Sequence, residues 1–238
     1  MKLKAILLLS VFMTIAVVSY AQEKEHEISS TVPELEKFHD VIYPMWHTAW
    51  PEKDVKMLKS LFPQVEKDYT ALAKAKLPGI LRDKKGKWDA GIKNFTAAYE
   101  AYKSAASKEE AQPLLDAAEK LHAGYEALVR VIRPVLKEVD DFHKDLYMLY
   151  HYYTPENNYA GVKTASVSLT KKMLVLKNAQ LSEKQKSKKD AFDKAVNELD
   201  NSVNALALVV KEGNDKNKIK TAVESLHSRY QAVEAVFD

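Results

Sequence analysis

Residues 38–51 read FHDVIYPMWHTAWP, and residues 142–155 read FHKDLYMLYHYYTP. The two stretches share a phenylalanine, two histidines, a tyrosine and a final proline at the same spacing, 104 positions apart. A second pair of landmarks, LHAGY at 121–125 and LHSRY at 226–230, is shifted by 105. These patterns indicate a tandem duplication that has gained one residue in a loop between the landmarks.

Six of the seven histidines pair across this duplication, although histidine makes up only 7 of 238 residues. Leucines or lysines would match by composition alone, whereas three paired histidine placements would not. A helical core needs no histidine to fold, so the pattern predicts a histidine-lined site. The pairs are His39 with His143, His47 with His151, and His122 with His227.

The spacing of apolar residues indicates helices throughout the chain. Long stretches rich in alanine, leucine, lysine and glutamate place apolar residues three and four apart, and there are only six glycines. This periodicity is typical of amphipathic helices with one buried stripe. We predict an all-α fold, an antiparallel helical bundle built from two tandem repeats, each with one short and three longer helices.

The predicted repeats are residues 33–134 and 135–238. Pro134 interrupts an otherwise continuous helical pattern, so the helix should kink or break there. No linker rich in glycine, serine or proline separates the repeats, which favours close packing into one compact body.

Start signals divide both repeats in the same way. Pro33 suits the first turn of a short helix that runs to about Ala49, and Pro51 then opens the second helix. In the second repeat, Thr154 should cap that helix with its hydroxyl and Pro155 should lie in its first turn.

The later helices carry a predicted capping box and predicted core residues. Ser182 and Gln185 have the spacing of a capping box. The third helix of each repeat should bury an apolar stripe, formed by Trp88, Phe95, Tyr99 and Tyr102 in the first and by Phe192, Leu199, Val203 and Leu206 in the second.

The first residues have the pattern of an export signal. Two lysines precede an apolar run, and Ser19 and Ala21 fit cleavage after residue 21. We therefore expect a signal peptide at 1–21, a flexible leader at 22–32 that contains His26, and a periplasmic or extracellular protein; an uncleaved anchor is the alternative. No membrane span is expected after cleavage.

Composition limits the function classes. The chain has no cysteine, which excludes disulfides, thiolate metal sites and covalent c-type haem. Its net charge of +3 falls to +1 without the two lysines of residues 1–21, so nucleic acid is not an expected partner. No nucleophile elbow, P-loop, dinucleotide fingerprint or zinc-protease motif occurs, so catalysis is not the leading interpretation.

Helix geometry constrains any metal site. His39, Tyr43 and His47 share one helix face, but the outer two lie about 12 Å apart on a regular helix. Ligands of one ion lie only about 3 to 3.5 Å from each other. Each histidine therefore needs partners from other helices. In an antiparallel arrangement His39 would approach His151 and His47 would approach His143, and in a parallel one His39 would pair with His143. His122 and His227 lie in different helices and could supply a third nitrogen.

The leading hypothesis is binding of zinc, copper or nickel for storage, buffering or sensing, with copper favoured by the Irving–Williams order. Nearby tyrosines and carboxylates could ligate the ion or orient an imidazole. The candidate ligands are His39, His47, His122, His143, His151 and His227, with Tyr43, Tyr147, Asp40 and Asp141 as auxiliary residues.

Two alternatives stay open. The histidines could serve packing in a structural or protein-interaction bundle, with an exposed aromatic patch of Trp46, Trp50, Tyr152 and Tyr153 docking a partner. Non-covalent haem between facing helices is a less favoured cofactor, because no particular axial His/Met pair is singled out.

With its Phe-His-x7-His motif, the chain resembles exported bacterial helical-bundle proteins. Its layout is similar to the periplasmic bundles of the cytochrome b562 and cytochrome c-prime class. The resemblance implies an exported all-helical bundle. It departs from the c-prime class by lacking Cys-x-x-Cys-His, and no ligand residue is carried over from it.

Overall fold

The computed structural model describes residues 27–237. The predicted signal peptide and residues 22–26 of the predicted leader, with His26, lie outside the described residues. Residues 27–237 form helices joined by loops and contain no strand, which confirms the all-α prediction. Within the same range, none of the helices is both long enough and apolar enough to cross a membrane.

The chain divides into two units, the first ending at Arg133 and the second beginning at Pro134. In unit 1, α1 packs on α2 and α4, α2 packs on α3, and α3 packs on α4. The elements of unit 1 are α1 (Pro33–Pro44), the π-helix π1 (Met45–Ala49), α2 (Val55–Leu72), a 3-10 helix (Gly79–Lys84), α3 (Lys85–Ala106) and α4 (Ala111–Ile132).

Unit 2 has the same order of elements. Its helices are α5 (Lys137–Met148), the π-helix π2 (Leu149–Tyr153), α6 (Tyr159–Leu176), a 3-10 helix (Glu183–Lys188), α7 (Lys189–Glu212) and α8 (Lys216–Ala235). Here α5 packs on α6 and α8, α6 packs on α7, and α7 packs on α8, while π2 contacts α8. The elements start 104 residues after those of unit 1, except α8, which starts 105 residues after α4.

Each unit has its own apolar core, and the predicted core stripes lie in it. All eight side chains predicted for α3 and α7 are buried. Tyr102 also donates a 2.6 Å hydrogen bond from its hydroxyl to the carbonyl of Leu58. This bond satisfies the one polar atom of a ring that is otherwise surrounded by apolar groups.

The predicted start of the second helix is wrong in both units. The helices begin four residues later, and the caps are Asp54, whose carboxylate accepts a 2.8 Å hydrogen bond from Met57 N, and Asn158, which accepts one of 2.9 Å from Gly161 N. In both units a short polar side chain three residues after the proline reaches the free N–H groups and caps the helix. Thr154 is thus not the cap.

Other boundary predictions are confirmed. Ser182 and Gln185 form the capping box, although it opens a 3-10 helix. Pro134 lies in the break between α4 and α5, where its ring and missing N–H prevent a continuous helix. At the end of α7, Gly213 has φ of 147°, a conformation that strongly favours glycine.

Candidate functional site

The second histidine of each motif lies in a π-helix, where the sequence predicted a regular α-helix to Ala49. The amide of Trp50 donates to the carbonyl of Met45 at 2.9 Å, and that of Thr154 donates to Leu149 at 3.0 Å. Pro51 follows directly and offers no N–H, and its ring would crowd the carbonyl four residues back in a regular helix. Widened turns of this kind are frequent at functional sites.

In unit 1, π1 builds an aromatic stack against α4. The Trp46 ring lies parallel to the His122 imidazole, with centroids 4.0 Å apart and planes 5° from parallel. Trp50 stacks on Trp46 at 4.5 Å and donates from Nε1 to the carbonyl of Leu115 at 3.1 Å. The two indoles therefore fill the space between π1 and α4.

In unit 2, π2 brings two imidazoles together across two helices. Tyr150 stacks on His227 of α8 with centroids 4.0 Å apart, and Tyr150 lies 4.9 Å from His151. The rings of His151 and His227 are 6.3 Å apart between centroids and 83° from parallel. The two imidazoles come from different helices, whereas the sequence hypothesis pairs His151 with His39 and gives His227 only as a possible third ligand.

The first histidine of each motif lies beside a tyrosine of the last helix in its unit. His39 is exposed, with its centroid 6.2 Å from that of Tyr125. His143 is only 8% exposed and stacks on Tyr230 at 4.4 Å. The ring neighbours of both histidines thus include a tyrosine of the last helix.

The motif tyrosines lie next to the second histidines. Centroids of Tyr43 and His47 are 4.6 Å apart, as are those of Tyr147 and His151. At these separations each tyrosine ring packs against the imidazole that follows it by four residues.

The two auxiliary carboxylates pair with lysines. Asp40 lies 2.6 Å from Lys37 Nζ, and Asp141 accepts from Lys137 and Lys144 on its own helix. Hydrogen bonds from these lysines lower the pKa of both carboxyls. Both groups are therefore held ionised by cations.

His122 has a lowered pKa. Desolvation by burial is the main cause and the nearby His47 adds to it, whereas Glu126 acts in the opposite direction. Burial therefore favours the neutral imidazole, which is the form that binds a metal ion.

No three histidine, aspartate or glutamate side chains within residues 27–237 are grouped closely enough to hold a metal ion by themselves. Of the predicted histidines, His151 and His227 come close to one another in unit 2, with ring centroids 6.3 Å apart.

Two glutamates were absent from the residues predicted from sequence. Glu119 precedes His122, and Glu224 precedes His227, by three positions in both units. Residues three apart on a helix are neighbours, so each carboxylate lies one turn from its histidine. The signal was the repeated Glu-x-x-His spacing, a pairing that carboxylate-bridged metal sites use in helical bundles.

No protein-family model, curated protein or solved structure matches this chain.

Proposed function

We propose that the mature chain is an exported protein of two tandem repeats, folded as an antiparallel helical bundle, that binds a first-row transition metal ion. Storage, buffering or sensing of the ion would be its role. The observation that carries the proposal is the approach of His151 and His227 from different helices.

The separation of these rings is close to that of two imidazoles on one ion. Metal–nitrogen bonds are about 2.0 to 2.1 Å, so two imidazoles on one ion have centroids about 5 to 6 Å apart. The observed 6.3 Å is slightly wider than that range. A side-chain movement of a few tenths of an ångström would bring the centroids to about 6 Å, and Tyr147 and Tyr150 pack beside the His151 imidazole.

Two imidazoles leave the remaining coordination positions to water, to a tyrosine or to Glu224 one turn from His227. Nitrogen and oxygen ligands suit Cu(II), Zn(II) and Ni(II), and copper binds most strongly when it is available. His47 and His122 of unit 1 would form a related, weaker site, because the Trp46 ring packs flat on the His122 imidazole.

Calorimetric titration of residues 22–238 with Cu(II), Zn(II) and Ni(II) tests the proposal. His151→Gln with His227→Gln should weaken the tightest site at least tenfold, whereas the control His39→Gln should leave it nearly unchanged. Equal affinity in the double variant and the wild type would remove the proposal. A Soret band on mixing with haemin would instead support haem.

A second candidate is a protein-interaction role. Its support is a set of exposed apolar side chains on α6, namely Val167, Leu174 and Val175. Trp46, Trp50, Tyr152 and Tyr153, the aromatic patch predicted from sequence, are only partly exposed, and the two tryptophans stack on each other. Metal titration without any heat change would favour this role.

A further inference from the structure

Unit 2 contains a cavity of approximately 560 Å³ between π2 and the start of α8. This volume is within the range of about 300 to 1,000 Å³ that small-molecule sites have. Its walls include Tyr150, His151, Thr154, Pro155, Lys216 and Lys220.

The corresponding place in unit 1 is filled by the indole of Trp50. With the shift of 104 residues, Thr154 occupies the position of Trp50, and with the shift of 105 after the loop, Lys220 occupies that of Leu115. In unit 1 the indole stacks on Trp46 and bonds to the Leu115 carbonyl. Threonine is too short to make either contact, so its place in unit 2 is open.

Thr154 lines the cavity with a short side chain. Its Oγ1 is inaccessible to solvent and has no hydrogen-bond partner in the structure, so an occupant of the cavity cannot reach this atom either. The polar contacts of an occupant therefore come from other groups of the wall.

The charges at the cavity select for an anion. Lys216 and Lys220 replace the alanine and leucine at positions 111 and 115 of unit 1. The first N–H groups of α8 are not available to a ligand, because the Asp215 carboxylate accepts hydrogen bonds from Asn217 N and Lys218 N. The positive charge in the wall therefore comes from the two lysines. The acidic group in the wall, Glu224, lies 3.8 Å from the Lys220 ammonium and offsets part of that charge.

We propose that this cavity binds a planar aromatic carboxylate about the size of an indole. Its ring lies against Tyr150, as Trp50 lies against Trp46 in unit 1. Its carboxylate lies between Lys216 and Lys220. The bound ligand takes the place that the Trp50 side chain fills in unit 1. Its binding requires no metal ion.

Calorimetry with indole-3-acetate and residues 22–238 in the presence of a chelator tests this site. One molecule should bind per chain, roughly tenfold more tightly than neutral indole, because a charged hydrogen bond contributes about 1.5 kcal/mol or more. Lys220→Leu, which restores the unit 1 residue, should remove the preference for the acid. Thr154→Trp should abolish binding by filling the cavity.

Trp50→Thr in unit 1 is the matched control, because it opens the same space without lysines and should gain no preference for the acid. Circular dichroism verifies folding of every variant, and shifts of the Tyr150 and Thr154 amide resonances locate binding in the wild type. No binding of indole-3-acetate to the folded wild type, or equal binding by folded Thr154→Trp, overturns the proposal. Because chelator is present, neither result bears on the metal site.

Discussion

Tyr43 is 55% exposed, whereas Tyr147 at the corresponding position is only 1% exposed. Their histidine neighbours lie at the same 4.6 Å. The local contact in the motif is therefore the same in both units, while the surroundings of the tyrosine differ. Single side chains likewise determine how the space beside each π-helix is filled, as the corresponding residues Trp50 of unit 1 and Thr154 of unit 2 show.

The Thr154 hydroxyl should be dispensable for folding. Thr154→Val keeps the shape of the side chain and removes a buried polar atom without a partner, so the variant should be as stable as wild type or more stable by about 1 kcal/mol. Asn158→Ala, which removes the observed cap, should cost about 1 kcal/mol. Urea unfolding measures the free energy of unfolding of both variants. A larger loss of stability in Thr154→Val than in Asn158→Ala would show that Thr154 is the cap.

Stability should depend on the protonation of His122. Burial lowers its pKa below the ordinary 6.5, so the unfolded chain binds this proton more readily than the folded protein does. The stabilising contribution is present above pH 6.5 and is lost as the pH falls through the lowered pKa. NMR titration of assigned imidazole resonances should place the pKa of His122 below 6.5.

Two substitutions check the cause of this shift. Removing the nearby carboxylate by Glu126→Gln should lower the pKa of His122 further, and His47→Ala should raise it. A pKa of His122 at or above 6.5 in the wild type would show that its environment is not desolvating.

At the scale of residues, the sequence named His151 and His227 among six candidate ligands but did not predict their contact. It paired His151 with His39 and gave His227 only as a possible third ligand. The stacking of His227 on Tyr150 depends on the rotation that the π-helix imposes, and no periodicity in the sequence encodes that rotation. Thr154 was misassigned because a threonine before a proline is also a common cap pattern.

At the scale of elements, close packing fixes the π-helix of unit 2 against α6. A methyl group at Gly161 would lie 2.6 Å from Tyr153 Cδ1, closer than real contacts allow. The tyrosine ring must then move, and π2 with it.

Gly161→Ala should therefore destabilise the protein by about 1 to 3 kcal/mol and shift the resonances of π2. Gly86→Ala is the matched control in α3, because a methyl group there meets nothing within 4 Å. It should stabilise the helix by up to about 1 kcal/mol, since alanine is the better helix former. Thermal unfolding of the two variants makes the comparison, and equal effects would contradict the packing described for Tyr153.

The elements themselves were largely predictable. Amphipathic spacing located the long helices and their buried stripes because burial of one face dominates their stability. The starts of α2 and α6 were missed, because Pro51 and Pro155 mark the end of the π-helical hydrogen bonding and not the start of the next helix.

At the scale of the whole molecule, the two units share an order of elements and differ in what their π-helices enclose. In unit 1 two indoles fill the space beside the π-helix, whereas unit 2 has a cavity and a close pair of imidazoles there. Metal binding by the folded state alone would stabilise it by mass action, by about 2.7 kcal/mol at a free concentration of 100 times Kd. Thermal unfolding with Cu(II) should show this rise, and His151→Gln with His227→Gln should lose it.

X-ray absorption on the copper-loaded and zinc-loaded mature chain, with and without those two substitutions, tests the metal proposal most directly. The spectra should show two imidazole nitrogens at about 2.0 Å from the ion in the wild type and their loss in the double variant. An ion bound without imidazole, or with the same imidazole ligands in both proteins, would contradict the proposal.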